Sequence, residues 1–345
     1  MPPQPSFAER LLHRFHILPT PVMDSFGAVI FARALTVALR RGVFESVSKR
    51  PLSLEELTEE TGLSPEGTRL LAEACVGGGY LRHTDGKYRE APEGRKWLVR
   101  SSGTYLGDLV FYFDSLNRRL GGLEYSLVHG SPVEPYYASF TASDWDTYVR
   151  GMANLARLLI PEVVRRVRLP DSGGRILDLG GSHALYPIAC RRRFRDSSAV
   201  VMDFAPALER AAALHDGASA DGIEFAPGDI LTAELPGERD AVFLFNIVHG
   251  FDVETNRQLI ARASKTLRSG GNLYILDQMT GTRHLSLLSR FMPLMVGLNL
   301  LNEIGGSAYS VSQIRTWCAG ASRFRVMPLR FPGVTLIEAG GWPGR

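Results

Sequence analysis

The pattern of apolar and polar positions changes character near residue 170. Before it, apolar residues recur mostly at helical spacing. Residues 22–50 carry such a pattern with few breakers and predict two helices. Ser53, followed three residues on by Glu56, has the form of a capping box and opens a helix that Gly62 stops. Ser64 and Pro65 open another, with Ser as N-cap and Pro at the first helical position, and the glycines at 77–79 end it. The segment YLRHTDGKYREA predicts two short strands around the tight turn Asp85-Gly86. Helix, turn, helix and hairpin together make a winged-helix pattern. Residues 100–168 read as helical again, with a loop around GSPVEPYY, and residues 170–174 read as a linker.

Beyond the linker the periodicity alternates. ILDLG, AVVMD, IEFAP, AVFLFNIV and NLYILDQ are short apolar runs rich in β-branched and aromatic residues, with helical stretches near 185–195, 206–217 and 253–268 between them. This alternation predicts a mostly parallel sheet covered by helices on both faces. A long helix over about 284–302 and another over about 311–320 follow. FRVMPLRF, a Pro332-Gly333 turn and VTLIEAG then form a closing hairpin. The expected architecture is α/β: a seven-stranded, mostly parallel Rossmann-like sheet behind an N-terminal helical winged-helix module.

Composition narrows the partners. A net charge of +3 over 345 residues gives no electrostatic reason to expect nucleic acid or an acidic membrane. The second winged-helix helix carries Glu66, Arg69 and Glu73, a poor complement to phosphates. Dimerisation is therefore the module's expected role, with apolar residues of 22–50 facing a second copy. Cys75, Cys190 and Cys318 are too far apart for a metal motif and suit a reducing cytoplasm. MPPQPSFAERLLHRF has charges within its apolar stretch and is not expected to be a signal peptide. Arg290 and Pro293 interrupt the most apolar late stretch, so no membrane span is expected there.

Ligands of open α/β sheets bind beyond the carboxyl ends of the strands. Those ends carry Asp178-Leu179-Gly180-Gly181-Ser182, then Asp203 (25 residues after Asp178), Gly228-Asp229-Ile230, Asn246 with His249, and Asp277. An acid at the end of the second strand suits ribose hydroxyls, in NAD or in S-adenosylmethionine (SAM) alike. Asp229 is placed for an adenine amino group. The first loop lacks the G-x-G-x-x-G spacing of a pyrophosphate site. Asp178 would repel a pyrophosphate and attract a ligand bearing an ammonium and a sulfonium. Four arginines crowd the next helix, Arg191, Arg192, Arg193 and Arg195, and read as a solvated face.

The segments RILDLGGSHALYP, AVVMDFAP, FAPGDIL, NIVHGFD, LRSGGNLYILD and GGSAYSVSQIRTW carry a resemblance. Over nearly its full length the chain resembles the winged-helix, SAM-dependent O-methyltransferases of the caffeate and bacterial polyketide or hydroxyneurosporene type. The resemblance implies a dimerisation domain over 1–100, a helical connector over 101–170 that contributes to the substrate pocket, and a SAM-binding domain over 171–345. It implies a metal-free enzyme, a homodimer and a small aromatic acceptor. The family loop is D-x-G-G-G-x-G; Asp178, Gly180 and Gly181 match it, whereas Ser182 and Ala184 replace glycines and His183 stands at a variable position.

By the same resemblance Asp178, Gly180, Gly181, Ser182, Asp203, Phe204, Asp229, Ile230 and Asn246 surround the cofactor. Phe251 takes the place of a tryptophan that stacks on adenine, and Gly250 that of an aspartate. His249 is the general base. Asp277, where the family has a glutamate, and Glu303 orient it. Tyr148 and Met152 close over donor and acceptor, and Phe291, Met292, Met295 and Asn299 contact the acceptor. Asp252 reads as the N-cap of the following helix. Methylation of carbon or nitrogen on the same scaffold, and a non-catalytic regulatory role, are the alternatives.

Overall fold

The computed structural model describes residue 15 and residues 20–134, 136–171, 173–215, 222–282 and 286–343. Most of MPPQPSFAERLLHRF, Ser172 of the expected linker, positions 216–217 of one expected helix and 284–285 of another lie outside these residues. The chain divides into two compact units, Met1–Ser115 and Leu116–Arg345.

In the first unit, α1 (Thr20–Arg40) is a single helix with a π-helical stretch over Met23–Gly27. It is long and apolar enough, by length and composition alone, to cross a membrane. Its residues Val22, Met23, Phe26, Val29 and Ile30 are all more than half exposed. Arg33 of this helix donates to Asp114 at 2.6 Å. Then come α2 (Val43–Lys49), α3 (Leu54–Thr61) and α4 (Pro65–Gly77). The Ser53–Glu56 capping box is fully formed, and Gly62 ends α3 in the left-handed conformation. Strands β1 (Leu81–Thr84) and β2 (Lys87–Glu90) pair antiparallel, with Asp85 and Gly86 both at positive φ, as a two-residue hairpin turn requires. Phe44, Leu52, Leu57, Leu81 and Tyr88 fill the core of this winged-helix unit. Helices α5 (Pro92–Leu98) and α6 (Gly107–Asn117) follow, and the boundary between the units falls within α6.

The second unit begins with α7 (Leu123–His129) and the 25-residue α8 (Ala142–Arg166), which a Thr141–Asp144 capping box starts. The sheet then forms from β3 (Arg175–Leu179), β4 (Ser198–Asp203), β5 (Ile223–Pro227), β6 (Arg239–Phe245), β7 (Leu267–Gln278), β8 (Arg323–Pro328) and β9 (Val334–Gly340), in the order β5-β4-β3-β6-β7-β9-β8. All pairings are parallel except β7 with β9 and β8 with β9. This is the mostly parallel seven-stranded sheet that the alternation predicts.

Side chains alternate between two buried faces. Leu177, Val242 and Ile275 face α11 (Val253–Lys265) and α13 (Val311–Trp317). Ile176, Phe243 and Tyr274 face α8 and α9 (Leu185–Arg193). Helices α10 (Ala205–Ala213) and α12 (Leu287–Ile304) complete the unit. The strand order reverses between β3 and β6, which opens a crevice at their carboxyl ends. Two of the arginines read as a solvated face are occupied: Arg191 donates to the Ser197 carbonyl and Arg193 to that of Val164.

Candidate active site

A cavity of about 590 Å³ lies over the carboxyl ends of β3 to β6. Nine of the residues singled out in the sequence line it: Gly180, Asp203, Phe204, Asp229, Ile230, Asn246, His249, Phe251 and Tyr148. Asp178, Gly181, Ser182, Asp277, Met152, Glu303, Asn299, Phe291, Met292 and Met295 are not among its lining residues. On α12, Phe291 is 53% exposed, while Glu303 is buried and accepts a 2.7 Å hydrogen bond from Asn299 Nδ2.

The loop after β3 is under strain. Asp178 has no exposed surface, and neither carboxylate oxygen has a hydrogen-bond partner. Burial, reinforced by the charge of Asp203, pushes its carboxyl up to about 8. A Cβ on Gly181 would lie 2.3 Å from the Asp178 carboxylate carbon, so only glycine leaves room for it. Ser182 donates its backbone N–H to Asp203 Oδ2 at 2.9 Å, and Phe204 donates to Oδ1 at 2.7 Å. Burial nonetheless raises Asp203 to about 6, against these two bonds. Ala184 holds φ +55, a left-handed backbone at the start of α9. His183 is buried, and its Nδ1 accepts the Leu185 N–H at 3.2 Å. Burial, with His215 and Arg157 adding, drives it down to about 3, so it is neutral. The residue read as variable thus braces the loop.

The other end of the cavity is densely hydrogen-bonded. His249 Nδ1 lies 2.7 Å from Asp277 Oδ1, and the His249 backbone N–H donates to Asp277 Oδ2 at 3.2 Å. With Nδ1 the donor, Nε2 is left as the acceptor. Burial opposes charge on His249, but Asp277, then Glu303 and Gln278, raise its pKa overall. Burial pushes Glu303 up to about 7, against Asn299 and His249. Asn256 of α11 donates to the carbonyls of Val248 and Phe251 at 2.8 and 3.0 Å, and Tyr309 Oη donates to the Phe251 carbonyl at 2.6 Å. Ser307 donates to the His249 carbonyl at 2.8 Å. A Cβ on neighbouring Gly306 would stand 2.1 Å from that same oxygen. Asp252 caps α11 through the Thr255 N–H at 2.8 Å, as its position predicts.

Aromatic side chains form the opposite wall. Tyr136, Tyr137, Trp145 and Phe204 join Tyr148 there. Tyr137 stacks on Trp145 with centroids 5.5 Å apart. Sequence reading picked out only Tyr148 and Phe204. The signal that could have found the others is density: five aromatics fall within YYASFTASDWDTY. Among the described residues, no group of His, Cys, Asp and Glu could hold a metal.

A SAM-binding Rossmann-like sheet with a histidine–carboxylate pair in its crevice defines a class I methyltransferase. The chain belongs to the O-methyltransferase domain family, whose model matches residues 112–321; residues 23–100 match the O-methyltransferase dimerisation domain. It is 25% identical over 336 residues to the 3-hydroxy-5-methyl-1-naphthoate 3-O-methyltransferase of Streptomyces sahachiroi, covering 93% of this chain and 95% of that protein. It is 25% identical over 347 residues to the acetylserotonin O-methyltransferase of Rattus norvegicus, covering 94% and 78%. Human N-acetylserotonin methyltransferase, solved in complex with SAM, superposes with a TM-score of 0.82 at 19% identity over 99% of this chain and all of that one. The protein is a SAM-dependent methyltransferase.

Proposed function

We propose that the protein methylates a hydroxyl group of a small aromatic or polyketide-like metabolite, with His249 as the general base. The observation that carries this reading is the His249–Asp277 pair, which opens onto the same cavity as Gly180, Asp203 and Asp229. The residues present fit the cofactor. Asp178 is a buried carboxylate without a partner, suited to a cationic ligand. Asp203 and Asp229 supply acceptors for ribose and adenine, and Phe251 offers a ring face.

SAM supplies an electrophilic methyl group on a sulfonium. The protein's part is to hold the acceptor oxygen in line and to remove its proton. His249 Nε2 takes that proton, while Asp277 fixes the ring and stabilises the imidazolium. Glu303, buried and hydrogen-bonded to Asn299, favours the imidazolium when it is ionised. The wall of Tyr136, Tyr137, Trp145 and Tyr148 suits a planar acceptor and keeps water from it. Residues of the expected connector, 101–170, form this wall, which supports their assignment to the substrate pocket. Phe291, Met292, Met295 and Met152 are proposed as acceptor contacts on the family resemblance alone.

The homodimer is proposed through the N-terminal unit. The matched dimerisation domain and the exposed apolar residues of α1 support it. A second copy accounts for the apolar character of α1 without a membrane. A cytoplasmic location is proposed from the three free, buried cysteines. The test is calorimetric titration with SAM and S-adenosylhomocysteine, followed by mass-spectrometric screening of hydroxylated aromatic acceptors. Addition of one methyl to oxygen supports the reading. Methylation confined to carbon or nitrogen, or no binding of either ligand to folded protein, sinks it.

A further inference from the structure

A second concavity, of about 510 Å³, lies in the N-terminal unit among the end of α2, the segment that leads to α3, the hairpin β1–β2 and the start of α5. Lys49, Arg50, Arg82, Arg89 and Arg95 line it, with Glu90 as the single carboxylate. Two of the cations are spoken for. Arg50 pairs with Glu56 at 2.6 Å, and Arg95 with Glu90 at 2.6 Å. Among the described residues no ion pair reaches Lys49, Arg82 or Arg89.

Lys49 stands in the last turn of α2, where a cation offsets the helix dipole. No such reason exists for the arginines. Arg82 and Arg89 face each other directly across the hairpin, a like-charge pairing that costs stability. The Arg89 Nε is shut off from solvent and meets no acceptor. An unpaired charged donor is an expensive thing to bury, and an anion placed between the two guanidiniums offsets the facing charges. The hairpin is held rigidly, because Leu52 and Tyr88 exchange backbone hydrogen bonds of 2.9 and 2.7 Å. The backbone that carries Arg82 and Arg89 is therefore fixed in place.

We propose that this concavity binds a small, multiply charged anion of the phosphate type, bridged by Arg82 and Arg89 with Lys49 at its side. The charge distribution favours a small anion over a nucleic acid. A duplex needs cations spread along the second winged-helix helix, whereas α4 carries Glu66 and Glu73. The site lies wholly within the N-terminal unit and is independent of the methyl-transfer reading.

The test uses the full-length protein and inorganic pyrophosphate as probe, against sodium chloride at matched ionic strength. Pyrophosphate is expected to raise the thermal midpoint by about 2–4 °C beyond the salt control. The Arg82→Gln and Arg89→Gln variants are each expected to lose that shift. Their starting midpoints should equal or exceed that of the parent, because the facing charges are relieved. Unchanged binding of S-adenosylhomocysteine shows that the variants are folded. No shift beyond matched salt, or a shift that persists in both variants, overturns the proposal. Binding of a short DNA duplex that both variants lose would replace it with a nucleic-acid site.

Discussion

The two ends of the cavity are built on opposite principles. At the β6–β7 end the hydrogen bonds converge on His249: Asp277 takes both its ring and its backbone N–H, and Asn256, Tyr309 and Ser307 fix the carbonyls around it, although the Asn256 Oδ1 itself is buried without a partner. At the β3–β4 end Asp178 has none, Asp203 is raised by burial, and Ala184 holds a left-handed backbone. Satisfied groups keep their geometry without a ligand, whereas buried, unpaired carboxylates are stabilised only when something cationic arrives. On the proposed reading, the end that carries the chemistry is preorganised, and the end that holds the cofactor gains stability from its ligand.

The sharpest way to break this comparison is to remove the proposed base. His249→Ala is expected to lower kcat by about a hundredfold or more. S-adenosylhomocysteine affinity, measured by calorimetry, should stay within about twofold, because it depends on the other end. Near-normal turnover sinks the assignment of His249. Asp277→Ala is the next largest, about tenfold to a hundredfold in kcat, with a diagnostic pH effect. The base must be neutral to act, and Asp277 raises its pKa. The acid limb of kcat/KM should therefore lie above pH 6.5 in the parent and move to lower pH in the variant. A limb that stays put separates Asp277 from the base.

Asp178→Asn tests the other end. Burial pushes its carboxyl up to about 8, above the ordinary carboxylate value of about 3.9, so the unliganded protein is favoured below the lower value and loses that stability as pH rises to about 8. Removing the charge should flatten the fall in thermal midpoint across that window and raise the midpoint at pH 8. It should also weaken SAM binding by about tenfold or more, the worth of a charge-assisted contact. Stabilisation without loss of affinity would mean that Asp178 serves folding alone. Glu303→Gln is milder. Glu303, at about 7, titrates alongside His249, so the parent acid limb should be broadened by a coupled pair. The variant limb should sharpen to a single proton and shift down by less than in Asp277→Ala.

The sequence showed some of this and hid the rest for definite reasons. Strands, caps and the acids at strand ends were legible, because each rests on local pattern: short continuous apolar runs in β3–β7, the Ser53 and Ser64 caps, and the residues immediately after each apolar run. The braces around His249 were not. Asn256 and Tyr309 act on backbone carbonyls of the 248–251 loop from separate elements, and no spacing announces such a bond. The face of α12 was not legible either. LLSRFMPLMVGLNLL carries apolar residues on every side despite Ser289, Arg290 and Asn299, so periodicity could not reveal that Phe291 projects outward. His183 looked variable because its role lies in a buried ring nitrogen and not in a motif.

The smallest expected effect concerns Ala184, where sequence and structure meet. A non-glycine residue in the left-handed region costs about 1–2 kcal/mol. Glycine there would relieve that cost but lose about 0.5–1 kcal/mol in chain entropy. Ala184 is also fully buried against Ile188, Val201 and Leu208, so its methyl contributes about 0.8 kcal/mol of burial. The terms nearly cancel. Ala184→Gly is therefore expected to move the thermal midpoint by less than about 2 °C. Ala184→Val, whose branched side chain tolerates this backbone poorly and overfills the site, should cost about 2 kcal/mol or more. A large gain from glycine would mean that the loop carries uncompensated strain. A negligible change shows that backbone strain and methyl burial offset each other at this position, with the bond from Leu185 to His183 holding the turn in place.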